Sequence, residues 1–114
     1  MNILGIGVDI LELKRIETIG PLARFAEYFL APIELELFHA SSDPIQFVAS
    51  RFAAKEAVIK AFPGTLRPHE FEILKEGAKP VVHFSSPDKQ EYRAFVSISH
   101  GTEYVVGYAA VAKK

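Results

Sequence analysis

The sequence predicts an α+β domain: a mostly antiparallel sheet carrying one long buried helix and several shorter ones. Three observations predict it. A β-branched apolar run opens the chain, proline-punctuated helical patterns fill the region from about 11 to 62, and four strand-like runs joined by glycine-containing connections fill the remainder. At 114 residues the chain is read as a single domain spanning 1–114, large enough to fold without staples.

The first element, "NILGIGVDI", is β-branched and apolar on both faces, which suits a buried strand. "LELKRIETI" sets Leu11, Leu13, Ile16 and Ile19 against Glu12, Lys14, Arg15 and Glu17, an imperfect helical pattern ended by Gly20-Pro21. Pro21 and Pro32 sit where a first helical position belongs, opening "PLARFAEYFL" and "PIELELFHA". Ser42 or Asp43 caps the next helix, with Pro44 in its first turn, and that helix runs from about residue 44 to Phe62, where Pro63-Gly64 stops it. "FEIL", "PVVHF", "AFVSIS" and "YVVGYAAV" read as strands, paired as two hairpins through "KEGAK" and "HGTE", and "SSPDKQEY" as a capped helical turn.

Composition excludes several classes of function. Cysteine is absent, so disulfides, thiolate catalysis and cysteine-based zinc sites are ruled out. Hydrophobic residues make up 49% and charged residues 24%, with a net charge of −1, so neither nucleic acid nor a membrane is an expected partner. No basic leader precedes Asp9 and no run approaches about 20 apolar residues, so the expected location is cytoplasmic.

The long helix carries the chemistry. In "RFAAKEAVIKA", Arg51 to Ala61, seven of eleven residues are apolar, yet four are charged. At about 100° per residue, Arg51 and Lys55 share one side, and Glu56 and Lys60 share another. A helix apolar nearly all round is buried, so its charges must meet specific partners. Glu56 and Lys60 form an i,i+4 pair in the favoured orientation, worth about 0.2–0.5 kcal/mol. Arg51 and Lys55 repel slightly at that spacing and either lie on a solvated face or face an anion. Ala53, Ala54 and Ala57 allow another backbone or a ligand to approach closely, and are also good helix formers.

Asp9 is the second anomaly, a carboxylate at the end of an apolar strand. It either caps the following helix or supplies a hard oxygen ligand for Mg²⁺, with Glu56 as the second carboxylate. The third piece is "SISHG". His100 ends a strand, a position more often structural than catalytic, and Ser97 and Ser99 share one face, suiting a polar wall or a wet sheet face equally. His39, His69 and His83 lack metal-ligand spacing, and no GxSxG elbow is present. "GIGVDI" lacks the third glycine and the helix start of a dinucleotide fingerprint.

Together "GIGVDILELKRI", "RFAAKEAVIKA" and "SISH", in this order and over essentially the whole chain, resemble the holo-acyl-carrier-protein synthase family, the short bacterial type of 4′-phosphopantetheinyl transferase. The resemblance implies the fold of that family and transfer of the 4′-phosphopantetheine arm of coenzyme A to a serine of apo acyl carrier protein, releasing 3′,5′-ADP. It implies Mg²⁺ as cofactor, and a homotrimer with coenzyme A in clefts between neighbouring subunits. By the same resemblance Asp9 and Glu56 are metal ligands, Asp9, Glu56 and Lys60 are catalytic, and Arg51, Lys55, Lys60, Ser99 and His100 bind coenzyme A. Lys14, Arg15 and Arg24 form a docking surface for the acidic carrier, with Arg15 and Arg24 matching family positions. Three features depart from the family pattern: "FPGTLRPHEF" replaces a glycine-rich loop, Ile59 stands where relatives often have a polar residue, and Pro21 stands where basic residues are common.

Overall fold

Three glycines let the long helix lie directly on a sheet. The computed structural model describes residues 2–114. Its elements are β1 (Ile3–Glu12), α1 (Leu13–Glu17), α2 (Leu22–Glu27), α3 (Pro32–His39), α4 (Pro44–Ala61), β2 (Phe71–Glu76), β3 (Lys79–Phe84), β4 (Tyr92–His100) and β5 (Tyr104–Lys113), with 3₁₀ turns at Pro68–Glu70 and Pro87–Lys89. Asp43 caps α4, its Oδ1 accepting from the Gln46 N–H at 3.2 Å.

The expected sheet is two sheets. β1, β5 and β4 form an antiparallel three-stranded sheet in that order, and β2 and β3 pair as a separate hairpin. β1 also runs further than its sequence suggested. The ladder Ile10↔Val106, Leu11↔Val105 and Glu12↔Tyr104 holds the segment extended, leaving α1 only five residues. Pairing to β5 outweighs the weak helical pattern of "LELKRI".

Gly5 and Gly7 on β1 and Gly107 on β5 face α4. A Cβ on any of them would overlap the carbonyl oxygens of Ala61, Ala57 and Ala53 respectively. The alanines of α4 and these glycines therefore bring helix and sheet backbones into close approach. Around this contact one core gathers Ala54, Ala57, Val58, Phe71, Ile73 and Val111, and a second gathers Leu30, Phe38, Val48, Ala49, Ala53 and Val105.

The opposite sheet face is uncovered. Ile6 is 63% exposed and Ile10 64%, and Val8, Tyr108 and Phe95 join them on that face. β1 is thus buried on one face only, because no other layer of this chain reaches its outer side. Among the described residues no helix is long and apolar enough to cross a membrane.

Candidate active site

Strand alternation from Gly5 and Gly7 turns Asp9 toward α4. Lys60 on α4 meets it there, with its Nζ 3.1 Å from Asp9 Oδ1 and 3.1 Å from the carbonyl oxygen of Val8. Asp9 therefore sits mid-ladder opposite Gly107 and caps nothing; the residue ahead of α1 is Glu12. The half-buried Glu56 completes the group. Its carboxyl is pushed above the usual carboxylate range, first by burial and then by the negative charge of Asp9, with Lys60 opposing. Lys60 forms its ion pair with Asp9 across the helix–sheet junction.

Two partly exposed carboxylates raising each other's negative potential make a site that a divalent cation stabilises. Among the described residues no group of three or more His, Cys, Asp or Glu side chains gathers to hold a metal. Two hard oxygen donors fit Mg²⁺ when substrate phosphates supply further ligands, the usual arrangement for that ion.

The other charged side of α4 answers to an internal anion. Glu34 on α3 is fully buried, and its Oε1 lies 2.6 Å from Lys55 Nζ while its Oε2 lies 3.8 Å from Arg51 Nε. Lys55 Nζ also donates to the carbonyl oxygens of Phe29, Pro68 and Phe71 at 3.0, 2.7 and 2.8 Å. Burial pushes the ammonium of Lys55 and the guanidinium of Arg51 down, opposed by Glu34. The expectation that Lys55 binds a ligand is therefore corrected: every ammonium hydrogen is committed inside the protein.

Arg51 differs from Lys55. Its guanidinium stacks 4.6 Å over the Phe47 ring, its Nε has no hydrogen-bond partner among the described residues, and it lines a cleft of about 860 Å³. His100 lines the same cleft, with Gln46 Nε2 3.0 Å from its Nδ1, and Lys75 from β2 completes a basic wall. Ser99 does not join them. It stands opposite Val106, which stands opposite Ile10, so its hydroxyl belongs to the outer sheet face.

Lys14, Arg15 and Arg24 are all exposed. Arg15 rims a smaller cleft of about 310 Å³ shared with Asp9, Phe25 and Phe52, which puts a cation in the same cleft as one of the two carboxylates. Sequence reasoning missed Glu34 and Gln46. The one signal for Glu34 was the pair of cations on a buried helix face, which require a buried anion; nothing in "PIELELFH" says which acid supplies it.

Comparison with known proteins gives a consistent result. The sequence model of the 4′-phosphopantetheinyl transferase superfamily matches residues 5–109. A holo-[acyl-carrier-protein] synthase of Clostridium novyi (strain NT) is 36% identical over 118 residues, covering 94% of this chain and 86% of the relative. One from Aquifex aeolicus (strain VF5) is 39% identical over 122 residues, covering 96% and 98%. The crystal structure of a holo-(acyl-carrier-protein) synthase from Bacillus anthracis in complex with CoA (3′,5′-ADP) superposes with a TM-score of 0.83 at 35% identity, covering 98% of each chain.

Proposed function

The chain belongs to the 4′-phosphopantetheinyl transferase superfamily and, within it, to the holo-[acyl-carrier-protein] synthases. On that premise we propose that it transfers the 4′-phosphopantetheine arm of coenzyme A to a serine hydroxyl of an apo acyl carrier protein. The observation that carries this reading is the convergence of Asp9, Glu56 and Lys60 at one helix–sheet junction.

Asp9 and Glu56 would hold Mg²⁺, which when bound would draw charge from the phosphate oxygens. The serine oxygen forms a bond to the phosphorus bearing pantetheine, the bridging P–O bond breaks, and 3′,5′-ADP leaves with the electron pair. Glu56, or a water beside it, accepts the hydroxyl proton. Lys60 sets its ammonium against the charge growing on the departing phosphate. Arg51 and His100 hold phosphate groups of coenzyme A in the larger cleft. Lys14, Arg15 and Arg24 receive the acidic carrier near Asp9.

Within one chain the phosphate-holding cleft and the carboxylate pair lie on separate sides of α4. A homotrimer, with coenzyme A spanning neighbouring subunits, joins one subunit's cleft to the next subunit's carboxylates. The uncovered apolar face of the three-stranded sheet supports that assembly.

The test is mass spectrometry of apo acyl carrier protein incubated with the enzyme, coenzyme A and Mg²⁺. The expected result is a gain of one phosphopantetheine on the carrier. Binding of coenzyme A with no mass gain would reduce the protein to a binding module and end the transferase reading.

A further inference from the structure

Helix α3 inverts the usual pattern at three positions. Its acid Glu34 is fully buried while its aliphatic Ile33 and Leu37 are exposed, and both of those line the larger cleft. The buried carboxylate ties together three of the elements that wall that cleft, α3, α4 and β2. It sits on α3, it binds Lys55 of α4 at 2.6 Å, and its Oε2 accepts from the Ile73 N–H of β2 at 2.9 Å. Its Oε1 also accepts from the Ala31 N–H at 2.9 Å, satisfying a backbone donor at the start of α3. Ile33, Arg51 and Leu74, one from each element, face the cleft above it.

Glu34 treats its two cations unequally. Lys55 is consumed, whereas Arg51 is close enough for charge compensation at 3.8 Å but is not hydrogen-bonded through Nε. A guanidinium whose charge is tolerated by a neighbouring carboxylate, stacked on one aromatic face and left short of acceptors, is held ready for an anionic ligand.

We propose that Glu34 is a positioning residue for coenzyme A, acting through Arg51 by fixing the guanidinium at the junction of α3, α4 and β2. The inference rests on the phosphopantetheinyl-transfer reading, which supplies the ligand. A purely architectural Glu34 would alter stability and the amount of active enzyme. A positioning Glu34 alters coenzyme A affinity in a way that depends on Arg51.

The experiment is a double-variant cycle read by calorimetric titration of the full-length protein with coenzyme A, alongside thermal melts. Glu34→Gln, made alone and in an Arg51→Ala background, removes the charge. Glu34→Asp keeps the charge and shortens the reach, and carries the cycle if the glutamine variant does not fold. The expected result is a roughly tenfold weaker Kd in the Arg51 background, shrinking to less than about twofold once Arg51 is gone, with the Michaelis constant for the carrier unchanged. Unchanged affinity in a folded Glu34 variant, or equal losses in both backgrounds, overturns the positioning role. Failure of the unaltered protein to bind coenzyme A removes the ligand and overturns both readings, whereas binding with an indifferent Glu34 overturns this one alone.

Discussion

Lys55 Nζ lies 2.6 Å from Glu34 Oε1, with both side chains sealed from solvent. The pair ties α3 to α4, and the same ammonium pins the segments at Phe29, Pro68 and Phe71. Lys55→Met keeps the volume and removes the charge. It leaves a buried carboxylate without its closest cation and three carbonyls without that donor. Removing one partner of such a pair costs about 3–5 kcal/mol, so Tm should fall by roughly 10–20 °C. A Tm within about 2 °C of the parent, measured by calorimetry, would show that the pair contributes nothing net.

The carboxylates on the other side of α4 make the opposite prediction. Asp9 and Glu56 are only partly buried and hold no part of the core. Asp9→Ala and Glu56→Ala should each lower kcat by roughly a hundredfold or more, through lost metal binding or lost proton transfer, with Tm little changed. Full activity in either variant would refute the metal assignment.

Much of this architecture was legible in the sequence, and the failures have physical causes. Proline at Pro32 and Pro44 marked two helix starts correctly, because its fixed φ and missing N–H suit that position. "RFAAKEAVIKA" announced a buried helix with two charged sides, and both sides found partners. One partner set was foreseen in part: Asp9 was expected to join Glu56, but Lys60, expected to pair with Glu56 along the helix, pairs with Asp9 instead. The other was an internal acid, since a solvated glutamate and a buried one look alike in "PIELELFH". The glycines of "GIGVDI" were read only as a weak nucleotide signal. Their work is to admit the α4 backbone, a requirement that appears only when two elements distant in sequence meet.

That close approach gives a third prediction. In Gly7→Ala the new Cβ overlaps the Ala57 carbonyl, so α4 must lift from β1. Overpacking of this kind costs about 1–3 kcal/mol. Because Gly7 lies two residues from Asp9 and faces the turn carrying Glu56 and Lys60, the lift also parts the site. Activity per folded molecule should therefore fall by about tenfold or more, since small misplacements of reacting groups are costly. Stability loss with undiminished activity of the folded fraction would mean that the site tolerates the displacement.

Arg15 rims the small cleft it shares with Asp9, and Arg24 is exposed on α2, the helix that also carries Phe25 of that cleft. Arg15→Glu and Arg24→Glu should raise the Michaelis constant for the acidic carrier several-fold, leave that for coenzyme A near its parent value, and flatten the dependence on ionic strength. Equal effects on both substrates would contradict a docking role.

Ile6 stands on the outer face of β1, across the ladder from Ala110 and in line with Phe95. It is exposed in the single chain, so a charge placed there meets water and not the core. Ile6→Glu should fold with a near-parental circular dichroism spectrum. In the proposed trimer the same carboxylate is driven into an apolar subunit contact, where an unpaired charge is far more costly than at a wet surface. Sedimentation velocity should then shift from the trimer mass to that of the single chain. Activity should fall with the assembly, because the cleft of one subunit and the carboxylates of the next no longer meet. Persistence of the trimer in this variant would place the subunit contact elsewhere on the molecule.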